Sequence, residues 1–348
     1  MSDFTSVARF IFKNGEGEFR SGWRILTFFI LFQIFLIIIG GIVVGLGIII
    51  SGNYNAAAEL LIEPSSNQPV TTQGLIRITV TRSALLVSTL AASAVCARLL
   101  ERRSFASVGY KLHKGWLKDF SLGHLLGAAT LALAVAIAAV AGAVTFYGRA
   151  SNTATILANA VILLFVFLIA AAFEEVLVRG FIFQALLHNF QIMLGRWGAA
   201  VPIAVTSLAF GFMHMLNPNA TVFAVANTML AGVWLGVAYL KTRSLWLATA
   251  LHAAWNFTMV FVFGLPVSGI TSYKEMAIMA GEPRPPLWLS GGNYGPEGGA
   301  AATLALIICT IAIIKLRAFR ASEEMMLAIR HGSLKQQADT SPAEPLET

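Results

Sequence analysis

The sequence predicts an all-α, polytopic membrane helix bundle with about eight transmembrane helices and both termini cytoplasmic. Three observations carry that prediction. The 348 residues are 57% hydrophobic and only 12% charged, about half the charged fraction of an ordinary soluble domain, and mean hydropathy is +0.74. Several apolar runs reach the ~20 residues that a helix needs to cross hydrocarbon. Finally, Lys and Arg gather at alternate ends of those runs, as they do where cytoplasmic loops are kept positive.

The apolar runs fall at roughly 23–50, 83–100, 122–146, 155–188, 197–216, 220–240, 244–264 and 299–317. The first is too long for a signal-peptide core and lacks a small-residue cleavage site, so it reads as an anchor. Arg9, Lys13, Arg20 and Arg24 precede it; Arg102, Arg103, Lys111, Lys114 and Lys118 follow the second run. Arg196 follows the fourth, Lys241 and Arg243 the sixth, and Lys315, Arg317 and Arg320 close the eighth. Arg77, Arg82, Arg149, Lys274 and Arg284 lie on the opposite side, so the bias is strong but not perfect.

The chain then divides into a cytoplasmic N-terminal segment (1–22), N-terminal transmembrane helices (23–146), a central helix bundle (155–264), an outer loop (265–298), a last transmembrane helix (299–320) and a disordered cytoplasmic tail (321–348). The formal charge of +7 is loop charge beside membrane spans and does not imply a nucleic-acid partner. Cys96 and Cys309 both sit in apolar runs, so neither a disulfide framework nor a cysteine metal site is indicated. Gly41/Gly45, Gly123/Gly127 and Gly232/Gly236 have the spacing that lets helices approach closely, and packing is the expected use. The sequon at Asn219 carries no functional weight.

The stretch AAFEEVLVRGF, residues 171–181, breaks the pattern. Of 17 acidic residues, only Glu174 and Glu175 fall deep inside an apolar run. An ionisable group at that depth is costly unless paired or hydrated, and it usually marks function. Arg179 follows Glu175 by four residues, so the two share a helix face and can pair. Glu174 points about 100° away and is left to hold a water. Two further runs carry polar groups at the same interval: Phe210 and His214 in FGFMH, His252 and Asn256 in HAAWN. Taken singly, each histidine is a packing residue. Three spans with polar groups at membrane depth, facing one interior, resemble a hydrolytic site.

EEVLVR, FGFMH and HAAWN match, in order, the EExxxR, FxxxH and HxxxN motifs of the CPBP family. That family joins type II CAAX prenyl endopeptidases with bacteriocin-processing and immunity-associated membrane proteins. The resemblance covers about 100 residues and implies an intramembrane endopeptidase in a multi-pass bacterial inner membrane. It implies Glu174 as the base acting on a water, His214 as a holder of that water, and His252 and Asn256 as stabilisers of the oxyanion. Glu175, Arg179 and Phe210 would support them, and the 155–264 segment would be the catalytic bundle. The implied partners are a membrane-associated or CAAX-like peptide substrate and the bilayer; oligomeric state is not legible.

No cofactor is required by this chemistry, because Glu174 can activate water unaided. Zinc is the alternative, with Glu174, His214 and His252 as ligands and an open fourth position; the H-E-x-x-H spacing usual for zinc proteases is absent. A serine elbow is absent too. Two other classes compete: a non-catalytic membrane scaffold or immunity protein, and a proton-coupled transporter, for which the sequence lacks half-repeats. Depth raises a difficulty of its own. His214 lies about 17 residues along its run, roughly 25 Å from the cytoplasmic end, whereas His252 lies about eight residues along, roughly 12 Å. For both to meet Glu174, the fifth run must tilt or start below the surface, with Pro202 near its beginning as an aid.

Overall fold

The computed structural model describes residues 12–13 and 19–327. Helices dominate it: α1 (Ser21–Ser51), α2 (Tyr54–Glu59), α3 (Thr72–Leu99), α4 (Trp116–Val140), α5 (Thr153–Glu175), α6 (Gln184–Leu194), α7 (Ala200–Met213), α8 (Val222–Thr242), α9 (Leu245–Phe257), α10 (Leu287–Ser290) and α11 (Ala300–Lys315). Wider π-type winding joins α5 to α6 over Val176–Phe183 and extends α9 over Thr258–Val262. Among the described residues six helical stretches are long and apolar enough to cross a membrane, counting Thr153–Leu187 and Leu245–Val262 as continuous. α7 and α11 are apolar but shorter. The chain is an integral membrane protein built as a helix bundle.

Local chemistry sets the helix starts. Thr71, Asn152, Thr221 and Ser244 each cap a helix, their side-chain oxygens accepting from Gly74, Thr155, Ala224 and Trp246 backbone N–H, groups that no helical carbonyl satisfies. α3 begins about ten residues before the apolar run that signals it. Its first turns, TQGLIRITVTR, are polar enough to hide from hydropathy but are capped and continuous. The third expected run also shifts. Its helix stops at Val140, Gly142 turns the chain at φ 72, and Val144–Gly148 (β1) becomes a strand. Its β-branched and aromatic residues favour the pleat. β1 pairs antiparallel with Met279–Pro283 (β2), Phe146 opposite Gly281. The 265–298 segment, expected as an outer loop, is thus a folded structure tied to the bundle.

α9 lies at the centre. It packs on α4, α5 and α8, and Gly123 and Gly127 make the α4 contact: a Cβ on Gly127 would stand 2.4 Å from the Leu251 carbonyl oxygen. Gly232 on α8 serves α7 in the same way, 2.8 Å from Ser207 Cα. The Gly41/Gly45 pair on α1 has nothing within 4 Å. At one end of the bundle a polar knot secures α1: Arg24 pairs with Glu101 at 3.3 Å, Arg103 pairs with the same carboxylate and reaches Gln184 at 2.8 Å.

At the other end, loops interlock. Val70 N–H donates to the Ser272 carbonyl and Thr271 N–H to Ser66. Gly269, at φ 84, lets the outer loop lie so close to the 214–221 turn that a Cβ there would be 1.8 Å from the Pro218 oxygen. The roof formed in this way covers a cavity between the helices. Most of the expected N-terminal segment and the tail from 328 onward fall outside the described residues.

Candidate active site

Glu174 and Glu175 end α5 where the winding loosens, and the two carboxylates part company. Glu175 and Arg179 are fully buried, and Arg179 Nη1 donates to Glu175 Oε1 at 2.9 Å. Arg179 Nη2 donates to the Gly232 carbonyl at 3.0 Å, and its guanidinium lies 4.9 Å from the centre of the Phe210 ring, a cation–π contact. The pairing that the four-residue spacing predicts is present. π-type turns interrupt helices mostly where function needs a side chain re-aimed, and here the interruption starts one residue after the pair.

Sequence spacing did not show a third partner. His252 Nδ1 lies 3.1 Å from the same Glu175 Oε1. A carboxylate only accepts, so Nδ1 carries the hydrogen and Nε2 is turned over to the cavity. Glu175 therefore holds Arg179 with one interaction and orients His252 with another. Phe210 completes the arrangement, its ring edge-to-face with His252 at 5.8 Å.

Glu174 is the freer acid. Its side chain keeps 15% exposure, and its Oε2 is buried without a hydrogen-bond partner. His252 Nε2 stands 3.9 Å from that oxygen, beyond direct hydrogen-bonding range. His214 caps the end of α7, and its Nδ1 donates to the Phe210 carbonyl at 2.8 Å, which leaves Nε2 as an acceptor when the ring is neutral. The Asn256 side chain, one turn beyond His252, has no hydrogen-bond partner among the described residues.

Glu174, His214, His252 and Asn256 all line one cavity of about 230 Å³, room for several waters at about 30 Å³ each. The depth difficulty has a physical answer. Fourteen residues of α7 span only about 21 Å, short of the ~30 Å hydrocarbon core, so α7 need not carry His214 to a membrane surface. Among the described residues, no three of His, Cys, Asp and Glu converge as a metal-binding group. Glu174, His214 and His252 share a cavity without forming a ligand set for zinc.

The cavity also holds residues that the motifs do not contain. Arg82 of α3, Asn227 of α8 and Tyr273, Ser268 and Glu297 of the outer loop all line it. Burial pushes the Tyr273 hydroxyl up to about 12, so it stays a neutral donor. Arg82 had one signal in the sequence: it is a cation on the side that the charge bias leaves poor in cations. Glu297 had none.

Residues 155–258 match the family model described as type II CAAX prenyl endopeptidase Rce1-like. The match spans under a third of the chain and contains all three motifs. It agrees with the CPBP resemblance and supports an intramembrane protease of that family. No curated protein and no solved structure matches the chain. The Rce1-like segment supplies α5, α7, α8 and α9 of the cavity wall, while Arg82 and the outer-loop residues lie outside it.

Proposed function

We propose that the protein is an intramembrane endopeptidase that hydrolyses a peptide bond of a membrane-associated or CAAX-like substrate, with Glu174 as general base. The observation that carries this reading is the unpartnered Glu174 Oε2 in a cavity shared with His214, His252 and Asn256. A water held between Glu174 and the His214 Nε2 gives its proton to the carboxylate as its oxygen attacks the scissile carbonyl. The Asn256 amide donates to the oxygen that turns negative. His252 can donate there as well, but only if it is doubly protonated, because Glu175 already takes its Nδ1 hydrogen. Glu174 at 3.9 Å and Glu175 at 3.1 Å provide the countercharge for that state. Collapse of the tetrahedral intermediate breaks the C–N bond, and the proton on Glu174 goes to the leaving amine.

The expected location is a bacterial inner membrane with both termini inside. Reporter fusions after residues 60, 110, 215 and 330 should then read outside, inside, outside, inside. The direct test of function maps peptide termini in membranes containing wild-type or Glu174→Gln protein. New termini that depend on Glu174 support the endopeptidase; identical termini with both proteins reject it and favour a scaffold.

A further inference from the structure

Arg82 sits on α3, outside the Rce1-like segment, yet it lines the cavity that contains Glu174 and Asn256. Among the described lining residues it is the one Lys or Arg. Apart from the two motif histidines, the other charged groups there are Glu174, left for catalysis, and Glu297. Glu297 is already occupied: Oε1 accepts from Trp255 Nε1 at 3.3 Å, and Oε2 from Ser268 N and Oγ at 2.7 and 2.6 Å.

Arg82 is not fully occupied. Glu63, from the loop between α2 and α3, takes it side-on, with Nε 2.7 Å from Oε1 and Nη2 3.0 Å from Oε2. A guanidinium offers five hydrogens in a planar fork. Side-on pairing uses Nε–H and one Nη2 hydrogen, so both Nη1 hydrogens and the second on Nη2 have no acceptor among the described residues. One hydrogen of Nη1 and the free one of Nη2 form the end-on edge, which fits two carboxylate oxygens at once. The Arg82 side chain keeps 26% exposure and lines the cavity. Glu63 fixes the guanidinium in place and leaves this edge open.

Charge balance then selects the ligand. A peptide carboxylate entering a largely apolar cavity meets repulsion from Glu174, and low dielectric magnifies it. Arg82 is the permanent cation among the lining residues that can offset that repulsion. We propose that Arg82 is a specificity-determining residue that binds a carboxylate of the peptide substrate, supplied by its C-terminus or by an acidic side chain near the scissile bond. The proposal deepens the endopeptidase reading and rests on it for the nature of the ligand.

The test measures binding apart from hydrolysis. Full-length Glu174→Gln protein in lipid nanodiscs is titrated with three fluorescein-labelled decapeptides of Leu and Ala: one with a free C-terminus, one C-terminally amidated, and one amidated with an internal Asp. A charge-assisted bidentate contact corresponds to about tenfold to a hundredfold in affinity. The free acid, the Asp peptide or both should therefore bind at least about tenfold more tightly than the plain amide, and which one does so identifies the source of the carboxylate. Adding Arg82→Gln should erase the difference, and Arg82→Lys should restore part of it. Glu63→Gln removes the countercharge but keeps the guanidinium and one amide oxygen to accept from it, so it should preserve most of the difference; a merely structural role for the pair would make Glu63→Gln and Arg82→Gln behave alike. Equal binding of all three peptides, no binding of any, or discrimination that survives Arg82→Gln overturns the proposal. Cleavage of the same peptides by wild-type protein is scored separately, so a failure to hydrolyse counts against the endopeptidase reading and not against the carboxylate site.

Discussion

The first and the ninth helices contrast most. α1 is the most hydropathic of the six membrane-length stretches, and only 6% of its most apolar window is buried inside the protein. The stretch Leu245–Val262 is the least hydropathic, yet 72% of its window is buried. In water the order would be reversed, because apolar surface drives burial. In a bilayer the lipid already provides an apolar surround, so hydrophobicity no longer sorts helices to the centre. Small residues that permit close approach and polar groups that need partners do so instead. α9 has Ala248, Ala250, Ala253 and Ala254 beside His252 and Asn256. α1 offers Ile37, Ile38 and Ile42, all exposed, and packs along one side against α2 and α3, with Phe28 stacked on Phe181 at 4.5 Å.

The largest expected effect tests whether chemistry is confined to the centre. Glu174→Gln and His252→Ala should each lower cleavage by roughly 10²- to 10⁴-fold, and Glu174→Gln should leave thermal stability nearly unchanged. Leu at Ile37, Ile38 and Ile42 should leave the rate as it is. Retention of most activity in Glu174→Gln breaks the comparison at its base.

Glu175→Gln comes next and should act differently. It strips a fully buried Arg179 of its carboxylate, a loss of about 3–5 kcal/mol for a broken buried pair. Because Glu175 also orients His252, cleavage per folded molecule should drop as well. A denaturation midpoint like that of wild type would show that the ion pair is dispensable.

Packing gives the two smaller effects. Gly127→Val drives a side chain into the Leu251 carbonyl and should cost at least about 1–3 kcal/mol. Gly45→Val has the same spacing motif but nothing within 4 Å, and should stay within about 0.5 kcal/mol. Equal losses at both positions, by thermal unfolding in nanodiscs, would place a packing partner against α1 and erase the contrast.

The sequence alone determined the membrane setting, the helical class and the three motif helices. Each depends on composition or on spacing within one helix, and a helix has a fixed rise and turn. The Glu175–Arg179 pair was legible for that reason. Tertiary structure decided what lies across from what. It assigned His252 to Glu175, brought Arg82 into a cavity from a helix beyond the motifs, folded the outer loop onto β1 and left one of three glycine pairs facing nothing. It also made α7 short enough for His214 to share a cavity with His252. These outcomes depend on how helices tilt, wind and pack against one another. Spacing along a chain constrains a residue's neighbours on its own helix; the facing helix is set only when the bundle closes.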